Sequence, residues 1–298
     1  MIRVPFLVLL TALAACTGPD LQTISPPALK AYEVDAASDG IRLAAAWYGE
    51  RQGRSRVYVQ PLTARGKATV APFAVTDGER EAFEPDLQFL GDDYLVAWYE
   101  KPVQGGAASA WIALLDDRGG ERWRRVMPAE SGSGLRPVVR VLGMTIHVAW
   151  IRTLGDDTAD LWYAAYDADG AEVSAPRAVA AANADTWNLN AAVDNAGRMH
   201  VVYDARLGTR AKELQQVVID GDTATMQALT PDDGHDSLYP DIALSGDRVA
   251  LTWFDTRDGN EEVYLASGTL VDSLVERVAK ARRVTDTAGH SIGAYVAW

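Results

Sequence analysis

The sequence predicts an all-β fold, a β-propeller of four-stranded antiparallel blades, from three observations. An alternating apolar strand with one large aromatic recurs at a nearly constant interval, tight turns separate the strands, and helical spacing is almost absent from the 298 residues. Successive aromatics are 51, 52, 53 and 50 residues apart, and they are Trp47, Trp98, Trp150, Tyr203 and Trp253. A period near fifty with four strands in each unit is typical of propeller blades.

The repeating unit is clearest from Tyr239 to Leu270. An apolar run at Ile242–Leu244 is followed, after a turn, by an alternating run that contains Trp253, and Asp258–Asn260 then turns the chain into Val263–Leu265. Asp-Gly and Gly-Asn pairs tolerate the positive φ that tight hairpin turns require. The unit therefore indicates short strands joined by hairpins.

Four strands are assigned to each unit, and the second strand carries the aromatic, which we expect to fill the space between adjacent blades. The innermost strands are predicted at Glu33–Ala37, Asp86–Phe89, Pro137–Leu142, Leu189–Val193 and Asp241–Leu244. The third strands are predicted at Val57–Val59, Trp111–Leu115, Leu161–Tyr166, Leu214–Ile219 and Val263–Leu265. The fourth strands are predicted at Phe73–Val75, Trp123–Met127, Ala178–Ala180, Met226–Leu229 and Arg283–Thr285.

Two stretches depart from the repeat. Leu270–Ala281 has helical spacing and is interpreted as an insertion in the fifth blade or an unusual fourth strand. His290–Trp298 aligns with an innermost strand, so we predict five complete blades plus the first strand of a sixth. The alternatives are that Ala294–Trp298 closes a five-bladed ring, or that residues 21–30 add the closing strand, which two consecutive prolines there disfavour.

The N-terminus predicts export and lipidation. Arg3 precedes a short apolar run, Val4–Ala12, which is too short to span a bilayer as a helix. Leu13–Cys16 (Leu-Ala-Ala-Cys) resembles the lipobox of bacterial lipoproteins, and Cys16 is the only cysteine of the chain. The resemblance implies cleavage before Cys16, acyl chains on its thiol and amine and, with Thr17 next, an outer-membrane location. The alternative is an ordinary secretory signal with a chance cysteine.

The predicted organisation has three parts. Residues 1–15 are a signal peptide, residues 16–30 are the lipidated Cys16 with a flexible tether, and residues 31–298 are the propeller. The expected partners are the membrane, through several acyl chains at the N-terminus, and a protein or glycan ligand. A count of 28 basic against 41 acidic residues gives a net charge of −13 and argues against nucleic acid, whose phosphates would be repelled.

Two family resemblances follow from the repeat. The turn Asp255–Tyr264 resembles the WD-like repeat of TolB-type propellers, and the Val-Ala-Trp strand is similar to sialidase-like propellers of exported bacterial proteins. A sialidase implies an arginine triad, a Tyr–Glu nucleophile pair and an acid–base Asp. The chain lacks the Arg-Ile-Pro motif of that family, which Leu135–Pro137 only approaches, and the partial Asp-box at Thr230–Gly234 lies elsewhere in the blade. Catalytic residues therefore stay unassigned.

A propeller predicts its ligand site in the central funnel, which the loops leading into the innermost strands face. One or two polar residues in each of the last four units qualify. The funnel-binding candidates are Asp86, Arg136, Asn188, Tyr239 and Asp241. The competing interpretation of each is a strand cap or a bond to backbone groups.

No cofactor is predicted. His147 and His200 occupy one repeat-equivalent position and are interpreted as packed or hydrogen-bonded inside their blades, and two further histidines in equivalent loops are too few for a metal site. Calcium is an option only at acidic loops, where turn-forming Asp on a solvated rim is the competing interpretation. These loops are Asp156-Asp157, Asp232-Asp233 and Asp255–Asp258.

These features predict a lipid-anchored, exported propeller of the bacterial envelope that acts as a non-catalytic ligand- or protein-binding or scaffold module. The alternative is a sialidase-like glycoside hydrolase acting at the central funnel, which requires an arginine cluster and a close carboxylate pair there. A third hypothesis is a TolB-like partner in an envelope assembly.

Overall fold

The computed structural model describes residues 23–26, 29–51, 53–130, 132–155, 158–206, 211–270 and 273–298, with only the backbone described at 181–184. These residues form strands β1 to β19 and one short helix, α1. Each sheet pairs consecutive strands antiparallel.

The first three blades follow one another along the chain. The first consists of β1 (Lys30–Ser38), β2 (Leu43–Arg51), β3 (Arg54–Leu62) and β4 (Phe73–Ala74). The second consists of β5 (Glu81–Leu90), β6 (Asp93–Lys101), β7 (Ser109–Leu115) and β8 (Glu121–Val126). The third consists of β9 (Ser133–Leu142), β10 (Thr145–Gly155), β11 (Thr158–Tyr166) and the first part of β12 (Glu172–Val193).

Strand β12 serves two blades, because its first part pairs with β11 and its second part with β13. The fourth blade adds β13 (Met199–Arg206), β14 (Glu213–Asp220) and β15 (Thr223–Ala228). The fifth consists of β16 (Ser237–Ser245), β17 (Arg248–Asp255), β18 (Glu262–Thr269) and β19 (Arg282–Arg283). The prediction of a β-propeller with five four-stranded antiparallel blades is confirmed.

The repeated aromatics occupy equivalent positions, as their spacing predicts. All five have an exposed fraction of 2% or less. Trp98 packs among apolar residues of the first and second blades, Trp150 among those of the second and third, and Trp253 among those of the fourth and fifth. Each ring therefore fills the space against the preceding blade, where burial of 150–250 Å² is the usual gain from a large aromatic. In the first blade, Ile24 and Leu29 take that place and pack against Trp47.

The innermost strands β1, β5, β9, β12 and β16 lie beside one another in that order. Each carries a β-bulge, which lies opposite the repeated aromatic in four blades and opposite Asp204, the residue after Tyr203, in the fourth blade. At four of the five bulges a non-glycine residue has a positive φ: Glu33 (42°), Glu84 (50°), Arg136 (47°) and Tyr239 (52°). Pairing continues on the N-terminal side of each bulge, so these strands begin earlier than predicted. Bulges re-aim side chains and are frequent beside active sites.

Two stretches complete the fold. Helix α1 (Leu274–Val278) buries Leu274 and Val278 against the fifth blade, which confirms the helical insertion. In the part of the chain that the structure describes, no helix has the length and apolarity needed to cross a membrane.

Residues 291–298 form no strand, but the Val296 N–H donates to Asp241 Oδ2 at 2.5 Å. This segment therefore follows the fifth blade where a further innermost strand would lie, without the predicted strand pairing.

Candidate functional site

Polar side chains recur on the innermost strands two residues after the bulge. In four blades this residue pairs with the one that precedes the buried aromatic, and the four are Asp35, Asp86, Asn190 and Asp241. Because innermost strands surround the propeller axis, these side chains form one layer around it, which we call the axial layer.

The guanidinium of Arg140, on β9, is hydrogen-bonded to side chains of the axial layer. Its Nη1 donates to both carboxylate oxygens of Asp86 at 2.9 Å, and its Nη2 donates to Asn190 Oδ1 at 2.5 Å. Its Nε donates to the Ala191 carbonyl oxygen at 2.5 Å, and Asn190 Nδ2 donates onward to Asp241 Oδ1 at 2.5 Å. The guanidinium of Arg140 thus binds groups of the second and fourth blades directly, and Asn190 extends the network to the fifth.

The axial carboxylates also bind the backbone of the following blade. The Leu87 N–H donates to Asp35 Oδ2 at 2.7 Å, and the Val139 N–H donates to Asp86 Oδ1 at 2.9 Å. Burial, with Asp86 nearby, raises the pKa of Asp35 to about 7, and burial raises the pKa of Asp241 to about 6. The axial layer therefore joins adjacent blades through hydrogen bonds. It also contains carboxyl groups whose burial opposes their ionisation.

The bulge residues form a second layer, the funnel mouth. Arg136 Nε lies 2.9 Å from Glu84 Oε2, and Arg136 Nη2 donates to Glu84 Oε1 at 3.0 Å. The Tyr99 hydroxyl also donates to Glu84 Oε1, at 3.3 Å. Burial raises the pKa of Glu84, the neighbouring Glu33 raises it further, and Arg136 opposes the shift. The mouth thus holds a half-buried carboxyl group with a fixed orientation beside an exposed second one.

Exposed aromatic rings flank the mouth. Tyr32, beside Glu33, is 43% exposed and Tyr239 is 48% exposed. Each is held from behind by a stacked ring, Tyr48 for Tyr32 and Phe254 for Tyr239, with centroids 5.3 Å apart in both pairs. A flat apolar face beside polar groups suits a ligand with both characters, such as a sugar ring.

The structure places the five predicted candidates in three settings. Asp86 and Asp241 belong to the axial layer. Arg136 and Tyr239 are bulge residues of the mouth. Asn188 is buried inside the protein. Ligand binding by these residues stays a prediction, and the lipidation candidate at position 16 lies outside the described residues.

The Asn188 side chain is held by a structural bond. Its Nδ2 donates to Asp204 Oδ2 at 2.6 Å, and the Tyr239 N–H donates to the same oxygen at 3.2 Å. Burial raises the pKa of Asp204, which is fully enclosed. Asn188 is therefore bonded within the fourth blade, and Asp204 links that blade to the fifth through Tyr239.

Sequence reasoning missed Glu33, Glu84, Asp35, Arg140 and Trp187. A signal existed for the two glutamates, because each lies fourteen residues before the aromatic of its blade, as Arg136 and Tyr239 do. Asp35 likewise shares its offset with Asp86 and Asp241. Arg140 had no such signal, because its role depends on side chains of three other blades.

Among the residues that the structure describes, no group of three or more His, Cys, Asp or Glu side chains is placed to hold a metal ion. His147 Nδ1 lies 2.9 Å from the Tyr163 hydroxyl, and His200 Nε2 lies 3.2 Å from Asp194 Oδ2. The interpretation of both histidines as hydrogen-bonded within their blades is confirmed. The acidic pair at 156–157 lies outside the described residues.

No protein-family model and no curated protein matches the sequence. Among solved structures, a thermostable family-43 glycoside hydrolase matches with a TM-score of 0.51 and 9% identity, over 89% of this chain and 96% of that one. An α-L-arabinanase of Penicillium chrysogenum complexed with arabinobiose matches with a TM-score of 0.51 and 10% identity, over 80% and 88%. A polysaccharide lyase of family PL25, an ulvan lyase, matches with a TM-score of 0.54 and 8% identity, over 78% and 65%. At such identities the similarity establishes the fold.

The prediction of a non-catalytic binding or scaffold module is wrong. It rested on the regular repeat, the lipobox-like run and the lack of a catalytic signature, whereas the three solved structures named above are enzymes that act on carbohydrates. A site assembled from separate blades leaves no such motif: Glu84 and Arg136, which form one ion pair, are 52 residues apart. Two of these structures are glycoside hydrolases, the class of enzyme that the sialidase-like alternative names.

Proposed function

We propose that this chain is a glycoside hydrolase that acts at the funnel mouth. The observation that carries the proposal is the pair Glu33 and Glu84, which occupy equivalent bulges of adjacent blades, close enough for Glu33 to raise the pKa of Glu84. Cleavage of a glycosidic bond typically uses two carboxyl groups that flank the bond.

The two carboxyl groups have different environments, as an acid and its partner need. Glu84 serves as the general acid, because burial raises its pKa and favours the protonated form. Arg136 and the Tyr99 hydroxyl hold Glu84 in place. Glu33 is exposed and serves as the second carboxylate, which attacks the sugar or activates water.

The axial layer is less suited to this chemistry. The carboxylates of Asp35 and Asp86 each accept a backbone N–H of the next blade, and Asp86 also binds Arg140. These backbone bonds join each blade to the next, which gives the carboxylates a structural role. We therefore assign the axial layer to holding the blades together and the mouth to the reaction.

Hydrolysis assays on defined glycans test the proposal. The substrates are arabinan, arabino-oligosaccharides, fructans and ulvan, with sialosides added for the sialidase-like form of the hypothesis. We expect release of reducing sugar from at least one of them, and a loss of roughly 10²–10⁴-fold in Glu84→Gln and in Glu33→Gln.

The matched control is Glu130→Gln. Glu130 is also a glutamate with positive φ (50°), but it forms its ion pair with Arg152 instead of with a mouth residue. Activity of this variant should equal that of the unmodified protein. Undiminished hydrolysis in both mouth variants, or no hydrolysis of any substrate, would overturn the proposal.

We also propose that Cys16 anchors the protein in the bacterial envelope. The Leu-Ala-Ala-Cys run and the uniqueness of this cysteine support the proposal. Expressed from the full chain, the protein should fractionate with membranes, and Cys16→Ser should move it to the soluble fraction. An N-terminal peptide without acyl mass in the unmodified protein would contradict it.

A further inference from the structure

A cleft of about 300 Å³ lies beside the funnel mouth. Residues of the second, third and fourth blades line it, among them Lys101, Ser133, Leu135, Thr153, Asp185 and Trp187. Leu135 directly precedes Arg136 in the chain, so the cleft adjoins the mouth. Its volume is at the lower end of the range of roughly 300–1,000 Å³ typical of small-molecule sites.

Trp187 is the most unusual lining residue. Its indole is 45% exposed, whereas the tryptophans between the blades are almost completely buried. Its main chain is nevertheless held, because the Trp187 N–H lies within 3.5 Å of Asp204 Oδ1 and the adjacent Asn188 is bonded to the same carboxylate. A fixed backbone thus presents a flat apolar ring that the packing of the blades does not use.

The polar groups of the cleft suit a neutral ligand rich in hydroxyls. Ser133 Oγ accepts the Ala108 N–H at 3.0 Å, which leaves its own hydroxyl hydrogen to donate. Asp185 lies 3.4 Å from Lys212 Nζ, so its charge is offset within the protein. Lys101 is the one cation among the described residues that line the cleft, and its ammonium lies 5.5 Å from the centroid of the Tyr99 ring.

We propose that this cleft is a second sugar subsite, which holds one neutral pentose or hexose ring against Trp187. The proposal rests on the proposed function at the mouth, and it deepens that function by making the substrate an oligosaccharide chain. The sugar in the cleft adjoins the one held between Glu33 and Glu84. Stacking on the indole buries the C–H face of the ring, while Ser133 and Thr153 are the hydroxyls placed to bind its edge.

Binding measurements with oligosaccharides of increasing length test the subsite. The probes are neutral arabino- and xylo-oligosaccharides of one to four sugars, titrated calorimetrically into the full chain and into its Glu84→Gln variant, which blocks turnover. We expect affinity to rise about tenfold when a second sugar is added. Trp187→Ala should lose that rise and keep monosaccharide binding, and Trp187→Tyr should retain most of it.

Met226→Ala is the matched control, because Met226 is 43% exposed on β15 and does not line the cleft. It should leave all affinities unchanged. Three results would overturn the subsite. They are an affinity that does not depend on oligosaccharide length, a Trp187→Ala variant with unchanged affinities, and no binding of either oligosaccharide series. Length-dependent binding that needs Trp187 without any hydrolysis would retain the subsite and refute the hydrolase. If Trp187→Ala hydrolysed substrates of every length with the same kcat/KM as the unmodified protein, the hydrolase would be retained and the subsite refuted.

Discussion

Asp35 is a half-buried carboxyl group whose ionisation opposes folding. Its pKa rises from 3.8 to about 7 on folding, first through burial and then through the neighbouring Asp86. Between these values the folded chain binds a proton that the unfolded chain does not. The free energy of unfolding therefore falls as pH rises through this interval. Asp241, whose pKa burial raises to about 6, contributes in the same direction.

Asp35→Asn should remove the loss of unfolding free energy that ionisation of Asp35 causes. Asn190 already occupies the equivalent place in the fourth blade, and an amide oxygen can accept the Leu87 N–H as the carboxylate does. We expect the variant to melt at a higher temperature than the unmodified protein at about pH 8, with the difference vanishing near pH 4. Thermal unfolding across this pH range measures the effect.

The control, Asp39→Asn, should change the stability at high pH in the opposite direction. Hydrogen bonds from the Arg42 and Ile41 N–H groups lower the pKa of Asp39 to about 2, so its charged form is favoured on folding. This stability is present above the unfolded pKa and is lost as pH falls toward 2. Asp39→Asn should therefore lower the melting temperature at about pH 8. An Asp35→Asn protein less stable than the unmodified one at that pH would contradict the account of Asp35.

Glu84 and Arg136 give a prediction on ionisation at the mouth. Burial raises the pKa of Glu84 and Arg136 lowers it, so Arg136→Met should raise that pKa further. Carbon-13 NMR titration of the Glu84 carboxyl measures the shift directly, without any substrate. In an assay, the alkaline limb of the pH–rate profile should move to higher pH, because a general acid must be protonated.

The control for this ionisation is Arg122→Met, which breaks an exposed ion pair with Asp93 elsewhere in the second blade. It should leave the Glu84 titration unchanged. A pKa of Glu84 that stays constant or falls in Arg136→Met would show that Arg136 does not act on this carboxyl group.

From the second blade onward, each second strand contributes one aromatic that joins its blade to the preceding one. Trp150 has no exposed surface, packs against Trp162 with centroids 5.9 Å apart, and donates from Nε1 to the Pro128 carbonyl at 3.1 Å. Trp150→Ala should cost about 3–5 kcal/mol of unfolding free energy, because it leaves a cavity between two blades. Urea unfolding gives this value, and Trp150→Phe should lose less.

The same substitution at Trp187 provides the comparison. Trp187 is 45% exposed, so Trp187→Ala should destabilise the protein far less than Trp150→Ala. Equal losses at the two positions would mean that burial between blades is not what makes the repeated aromatic stabilising.

The innermost strands show where sequence patterns stop predicting structure. Their cores were predicted because alternation is regular after the bulge, from Asp86 or Asp241 onward. Their N-terminal parts were missed because the bulge adds one residue and breaks the alternation at Glu33, Glu84 and Tyr239. The β-bulges that prevented the prediction of these strand ends also position the mouth residues.

At the scale of the whole molecule, the repeat predicted the five blades because each blade is stabilised mainly by its neighbours. The site candidates came from one expectation, that residues leading into the innermost strands face the axis, and this expectation indicated Asp86, Arg136, Tyr239 and Asp241. The ion pair of Glu84 and Arg136 and the bonds of Arg140 depend on which blades meet at the axis. A periodic sequence fixes the order of the blades along the chain but does not show which side chains meet across the axis.

Arg140 carries the last prediction, because it is the cation shared by the axial layer. It binds Asp86 and Asn190, and Asp35 and Asp241 are near enough to act on its pKa. Arg140→Met should cost about 3–5 kcal/mol, since it leaves buried carboxylates without a counter-charge. The loss should be larger at about pH 8 than at about pH 5, because the carboxyl groups can take up protons at the lower pH. Urea unfolding at the two pH values measures it.

The double variant Arg140→Met with Asp86→Asn tests the mechanism of that loss. Removing one uncompensated carboxylate should recover part of the stability at about pH 8, which a double-mutant cycle quantifies. If the cost of Arg140→Met were the same at both pH values and unaffected by Asp86→Asn, the arginine would stabilise the ring through the packing of its stem. Adjacent blades would then be held at the axis by packing, with the charges of the axial layer adding nothing to their association.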